Sequence, residues 1–501
     1  MGNFIGIDLG TTFSAVAMID EVGRPSIVYN DEGDNLTPSC VYIDHEYNSV
    51  IVGKEAYRVW KASNGKEAAT RFKRDMGTGR LYSVKGKEFT PITLSSLLLK
   101  KLYKDVTAKL GSIDEIIVTI PANFSNAARE ATMRAAKEAG LNVEYIINEP
   151  TAAALFYAYQ NGGSLNGTFA IYDLGGGTFD VSLIKVSGTS VEVLNSNGVS
   201  RLGGDDFDLC LYQIIQKKYK DQTGEDFEDG DYTLGDAEDD KKSLSKRKKI
   251  IIHIARKIIE VTREEFEEAI SSRVTQAEML CETTLDEAGV KVDDIDQVLL
   301  AGGSTRIPYV RESIKRAFNQ EPISPANVDE VVALGAALYA VFKGDESKLN
   351  EAQKRTINKL ELNEITGKCF GTTALCFEEN RRKEELQNVT LIKKNTNIPC
   401  SVTKTFYTIG DGQTRVRCDV TESISIEKDP KFITTIWEGE LDLPPGRPAG
   451  QKIEVSFSYD INQTMKCSYL DISSGIKAEV NLEIASTVSQ DDIDINEFVV
   501  E

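Results

Sequence analysis

Two glycine loops, each opened by an aspartate at the end of an apolar run, constrain this chain more than any other feature. Ile171–Asp180 (IYDLGGGTFD) brings Asp173, Gly175, Gly176, Gly177, Thr178 and Asp180 together. Phe4–Thr12 (FIGIDLGTT) repeats that grammar with Asp8, Gly10, Thr11 and Thr12. Glycine lets backbone N–H groups come close to an anion. Carboxylates cannot pair with phosphate, so their presence points to a hydrated Mg²⁺ between them. One such loop is usually an ordinary turn. Two in the same order point to a duplicated fold, with the loops facing each other across a cleft and holding a nucleotide's phosphates.

The remaining totals narrow the class. At 501 residues the chain is too long for one ordinary domain and fits about two to four. A formal net charge of −20 argues against a non-specific grip on nucleic acid or on an anionic membrane. No apolar run approaches the roughly 20 residues that span a bilayer. A strand that starts by Phe4 leaves no room for a signal peptide. Eight cysteines without a CxxC pair read as reduced thiols of a cytoplasmic protein, although five of them crowd the last third. Two histidines argue against a histidine triad or a zinc site.

Along the chain, residues 1–20 read as a hairpin, and 37–43 as a strand. Residues 55–63 and 93–110 are helical by apolar spacing. RFKRDMG carries Lys73, which by itself reads as a solvated surface charge. Residues 116–120 form an apolar strand ended by Pro121, followed by a helix over 126–140 that carries Arg129. In YIINEPTAAA, Pro150 sets the first turn of a helix. Glu149 before it is either a cap or a carboxylate at a strand end facing the cleft. RLGGDDFD is a further glycine turn before a helix. Glu238, Lys241, Lys242 and Ser245 share one helix face, suited to ribose and base contacts. Thr262 with Glu265 is a capping box, whose helix has only packing and a solvated acidic face to offer. QVLLAGGSTRIP is strand, glycine turn and helix start, and 331–342 is a closing apolar helix. A charged stretch follows. From there, alternation at Val416, Cys418 and Val420, and again at Ile453, Val455, Phe457 and Tyr459, indicates an antiparallel sheet domain.

The ordered set GIDLGTT, RFKRDMG, IPANFSNAAREAT, IINEPTAAA, YDLGGGTFDVS, LGGDDFD, GGSTRIP and VTLIKKNTNIP resembles the heat-shock protein 70 (DnaK-type) chaperone family over roughly residues 1–485. The resemblance implies an α/β actin-like ATPase domain of duplicated ribonuclease-H-like lobes (1–343). A linker (344–362), an all-β sandwich that binds peptides (363–485) and a tail without a helical lid (486–501) follow. It implies ATP or ADP as ligand, with Mg²⁺ and K⁺. By motif, Lys73, Glu149, Asp173 and Thr178 match catalytic positions, and Asp8, Asp173 and Asp180 the metal-organising carboxylates. Gly10, Thr11, Thr12, Gly175, Gly176 and Gly177 match the phosphate loops. Glu238, Lys241, Lys242, Ser245, Gly302, Gly303, Ser304 and Arg306 match the adenosine side, and Pro121 and Arg129 an interdomain relay. Phe406, Val416 and Cys418 read as sandwich core from patterning, and as a peptide pocket from the resemblance.

The implied partners are unfolded or extended client polypeptides and a J-domain co-chaperone. Several departures bear on them. Tyr145 stands where the family has Arg at a J-domain position, and the short stretch from Ser245 to Thr262 argues against a GrpE-type exchange factor. Glu361 separates Leu360 from Leu362 in the linker, and Thr372 replaces a large aliphatic residue of the peptide pocket. Two other function classes stay open: a nucleotide-gated scaffold or filament protein, and a small-molecule kinase on the same fold.

Overall fold

Phe4–Asp8 is buried at every position but its last, as a strand covered on both faces must be. In the computed structural model it is central to a six-stranded sheet. That model describes residues 2–44, 49–161, 166–187, 190–228, 230–324, 327–357, 361–378, 383–460, 464–482, 495 and 498–500. The strand order is Tyr145–Asn148, Glu115–Ile120, Phe4–Asp8, Phe13–Ile19 and Pro25–Ile27, with Thr37–Pro38 beside Phe13–Ile19. A second sheet runs Gln297–Ala301, Asn166–Leu174, Phe179–Ser187, Ser190–Val199 and Glu361–Asn363. In each, the aspartate-bearing strand pairs parallel on one side and antiparallel on the other with the strand that follows it.

The chain divides into two compact units. The first holds Met1–Phe124, Ala131–Leu362 and Asp491–Glu501, the second Ser125–Glu130 and Asn363–Gln490. In the first, helix Val331–Lys343 is buried along nearly its whole length. A Cβ on Gly335 would overlap the Ala152 backbone, so this small residue lets the helix close onto helix Glu149–Gln160. That packing fixes Glu149 at a helix start, directly after the strand ending at Asn148. Helix Arg263–Ala288 begins at the capping box, with Thr262 Oγ1 accepting from the Glu265 N–H at 3.2 Å and Glu265 Oε2 from the Thr262 N–H at 2.8 Å. Its Phe266, Ile270, Val274 and Cys281 join the core beneath the second sheet.

Sequence patterning left most of the smaller strands unread. The Ser245–Thr262 stretch forms the hairpin Lys249–Ile254 with Lys257–Thr262. A four-stranded sheet runs Val499–Val500, Ser49–Val52, Cys40–Asp44 and Ala68–Thr70, so the stretch read as a tail contributes a strand to the first unit. The stretch read as a linker contains helix Glu351–Ile357, whose Thr356 Oγ1 donates to the Gly23 carbonyl at 2.7 Å. Leu360 and residues 486–494 lie outside the described residues.

The second unit carries two four-stranded antiparallel sheets. One runs Lys383–Ile392, Cys369–Glu378, Arg415–Ser423 and Thr434–Asp442, the other Cys400–Tyr407, Lys452–Tyr459, Met465–Asp471 and Lys477–Asn481. Phe370, Ile392, Val420, Ile453, Phe457 and Tyr469 fill the core they enclose. All eight cysteines are free. Among the described residues, no helix is long and apolar enough to cross a membrane.

Candidate functional site

The carboxyl ends of four strands deliver the polar groups of the first unit to one cavity of about 510 Å³. Asp8 ends its strand, Asp173 is the last but one residue of its own, Glu149 follows Asn148, and Gly302 follows Ala301. Ligands of open α/β sheets settle outside such strand ends. The two glycine loops meet there. A Cβ on Gly176 would overlap Thr12 Oγ1, and one on Gly177 would overlap Thr11, so only glycine permits this approach. Thr12 Oγ1 is buried and finds no hydrogen-bond partner among the described residues. It lines the cavity, where a ligand oxygen would satisfy it.

Lys73 is buried, 4% exposed, and its ammonium pairs with Glu149. The solvated reading of this lysine therefore fails. The preceding Arg71 adopts φ 66°, which turns the chain into the short helix Phe72–Asp75 and points Lys73 inward. Burial alone would lower its pKa, but Glu149 and Asp8 outweigh it and hold the ammonium charged. Burial, then the Glu149 charge, raises Asp8 to about 7, against the opposing pull of Lys73 and a 3.0 Å hydrogen bond from Thr119. Asp173 is raised as well, by burial and then by Glu149, Asp180 and Asp8. Asp180 faces Asp173 across the hairpin and is buried behind the cavity wall. Thus Asp8, Glu149, Asp173 and Asp180 gather carboxylate charge around one lysine. Among the described residues, no three such groups are close enough to enclose a bare metal ion; a hydrated ion needs no such cage.

The opposite wall comes from helix Leu234–Leu244 and the Gly302 turn. Glu238, Lys241, Lys242 and Ser245 all line it, as their shared helix face requires. Lys241 donates to the Gly204 carbonyl at 2.9 Å and pairs with Asp208 at 2.7 Å. Burial would raise the Glu238 carboxyl, but Lys242 at 2.6 Å and Lys241 pull it down to about 2. Ser304 Oγ donates to the Gly175 carbonyl at 2.8 Å, tying the Gly302 turn to the second glycine loop. Arg306, with Gly302 and Gly303, lines the same wall and pairs with Asp329 at 2.7 Å. Phe13, Ile307, Val328 and Val332 supply apolar surface, suited to a flat ring.

Motif reading passed over the residues that bridge this unit. Arg71 pairs with Asp205 at 2.8 Å, Arg74 with Asp206 at 2.7 Å and Lys61 with Asp239 at 2.5 Å, while the Tyr57 hydroxyl donates to Glu238. These opposite charges are far apart in sequence, and only their charge types could have pointed to them.

Other expected residues lie elsewhere. Pro121 follows strand Glu115–Ile120 in the first unit, and Arg129 is a buried residue in the first turns of helix Asn126–Glu138, the part that falls in the second. Phe406 and Val416 keep part of their surface at the sandwich core's margin, whereas Cys418 has none. Thr372 is buried and donates to Asp419 Oδ1 at 2.8 Å. Tyr145 lies beneath the Lys343 ammonium, 5.1 Å from the ring centre.

Comparison with known families agrees with this architecture. Hsp70 proteins are ATPases with chaperone activity; they bind ATP or ADP with Mg²⁺, client polypeptides and J-domain co-chaperones. The family model described as Hsp70 protein matches residues 4–82 and 79–499, nearly the whole sequence, and the chain belongs to the Hsp70 family.

Proposed function

We propose that this chain hydrolyses ATP in the cleft of its first unit and binds extended apolar segments of client proteins through its second. The meeting of Gly176 with Thr12, beside the buried Lys73–Glu149 pair, carries the first half of this reading. We read the two matching sheets as duplicated ribonuclease-H-like lobes, each contributing one phosphate loop. Backbone N–H groups of Thr11–Thr12 and Gly176–Thr178 hold the phosphates. Lys241, Lys242 and Ser245, with Arg306 on the same wall, frame the adenosine.

Phosphoryl transfer to water needs charge neutralised and water placed in line. Lys73 supplies a fixed positive charge for the γ-phosphate oxygens. Glu149, held by Lys73, orients the attacking water with Asp173, and Thr178 contacts the phosphate from the second loop. The carboxylates of Asp8 and Asp173, with Asp180 behind them, fit a hydrated Mg²⁺, with K⁺ alongside, because one lysine cannot balance them. When bound, Mg²⁺ offsets the charge developing on the phosphate oxygens. Histidine is not needed for any of this.

In the second unit, Phe406 and Val416 would bury alternate side chains of an extended peptide, while strand edges pair with its backbone. Cys418 would support them from the core. Tyr145 beneath Lys343 gives any J-domain partner an aromatic–cation surface in place of an arginine. Free cysteines fit a reducing cytoplasmic compartment.

The test is steady-state ATP hydrolysis with and without a short apolar peptide. The reading expects stimulation by peptide, and weaker peptide binding by fluorescence anisotropy for Val416→Phe. Hydrolysis that peptide leaves unchanged, with equal affinity in the variant, would contradict the client-binding half.

A further inference from the structure

Strand Val499–Val500 pairs parallel with Ser49–Val50 at the edge of the small sheet of the first unit. Its seat is specific. Ile495, Phe498 and Val500 are buried, while Val499 between the last two is exposed. From helix Pro91–Leu110, Lys104 donates to the Val500 carbonyl at 2.8 Å and Lys100 to the Ile495 carbonyl at 3.3 Å. These lysines lie one helical turn apart, so they grip the segment's backbone at two points. An open strand edge is a ready template for an extended segment, and here that segment is the chain's own.

The same sheet presents Lys73. Ser49–Val52 pairs with Cys40–Asp44, which pairs with Ala68–Thr70, which leads through Arg71 into the Lys73 turn. Helix Pro91–Leu110 makes a second connection, since Ser95 Oγ meets Met76 Sδ at 3.4 Å just beyond that turn. A segment held by helix and sheet together therefore braces both supports of Lys73. Burying three side chains is opposed by the entropy of ordering the segment, which keeps the docking reversible.

We propose that Ile495 and Phe498–Val500 form a detachable strap. It docks along the Ser49–Val52 edge and, while docked, holds the Lys73 turn in its productive position. The second clause rests on the ATPase reading above; the docking does not. Lys73 would touch the reacting phosphate, and the strap acts on it as a positioning element.

The test uses the full chain, a deletion of residues 491–501, and the full chain carrying Phe498→Asp. Hydrogen exchange at the Ser49–Val52 amides reads docking, and single-turnover hydrolysis over a range of ATP concentrations reads positioning. Both changes should speed exchange at those amides. Both should lower the maximal rate about tenfold, with the half-saturating ATP concentration within twofold. A synthetic peptide of residues 491–501 should restore protection and rate to the deleted chain; a scrambled peptide should not. Unchanged exchange in the deletion would overturn the docking. Faster exchange with an unchanged rate, or a rate the peptide fails to restore, would overturn the positioning. A full chain that hydrolyses no ATP would remove the ATPase reading and the positioning with it, while exchange would still decide the docking.

Discussion

Lys73 and Glu149 are buried as a pair, and leaving either charge uncompensated costs about 3–5 kcal/mol. Asp419 poses the same problem in the second unit. It is 1% exposed and accepts from Thr372 Oγ1, from the Thr373 N–H at 2.7 Å and from the Thr373 hydroxyl. The Tyr469 hydroxyl donates to its carbonyl. Thr372, which the resemblance set in the peptide pocket, thus holds a buried carboxylate. Asp419→Ala should destabilise the second unit by about 3 kcal/mol, since it orphans buried donors. Urea unfolding followed by Trp437, which stacks on Tyr469, measures it in a Trp60→Phe background. A midpoint equal to that of the background protein would contradict the role given to this network.

At the scale of elements, the two glycine loops work only as a pair. Gly176→Val should weaken nucleotide binding at least tenfold, because its side chain would need the space of Thr12. Calorimetric titration with ADP checks this, and unchanged affinity would mean that the loops do not close on the ligand. Much at this scale was legible. Long buried strands, capping residues and glycine turns are written locally, so Phe4–Asp8, the Thr262 cap and the Gly302 turn could be placed from sequence. The cavity face of Glu238, Lys241, Lys242 and Ser245 followed from helical spacing. What was not legible is short or distant. Strands such as Ala68–Thr70 or Ser49–Val52 show too few alternations to stand out. Val499–Val500 has meaning only beside Ser49–Val50, which no local pattern reports. Burial of Lys73 depends on the left-handed Arg71 and a partner 76 residues away. Cys418 is the simpler case: alternation placed it on the inward face of its strand and read it as core, where it is buried, while the pocket reading came from the resemblance.

Over the whole molecule, each unit carries its own core, and the first stores electrostatic strain in its cavity. Burial raises Asp208 to about 7, although Lys241 opposes the shift. A carboxyl raised in the fold contributes stability that is complete below its unfolded value and is lost as pH rises through about 7. Glu238, held at about 2, works the other way, but its stability is lost only in acid well below pH 5. Nucleotide-free protein in chelator should therefore unfold at a higher urea concentration at pH 5.5 than at pH 8. Asp208→Asn should reduce that slope, Asp8 and Asp173 supplying the rest, and a slope the substitution leaves intact would contradict this electrostatic account. The central claim is that Lys73 acts on ATP held between the two loops. Single-turnover hydrolysis by the wild-type chain and by Lys73→Ala, each first shown by titration to bind ATP, tests it most directly. The account predicts bound ATP in both and hydrolysis slowed at least a hundredfold in the variant; equal rates would contradict it.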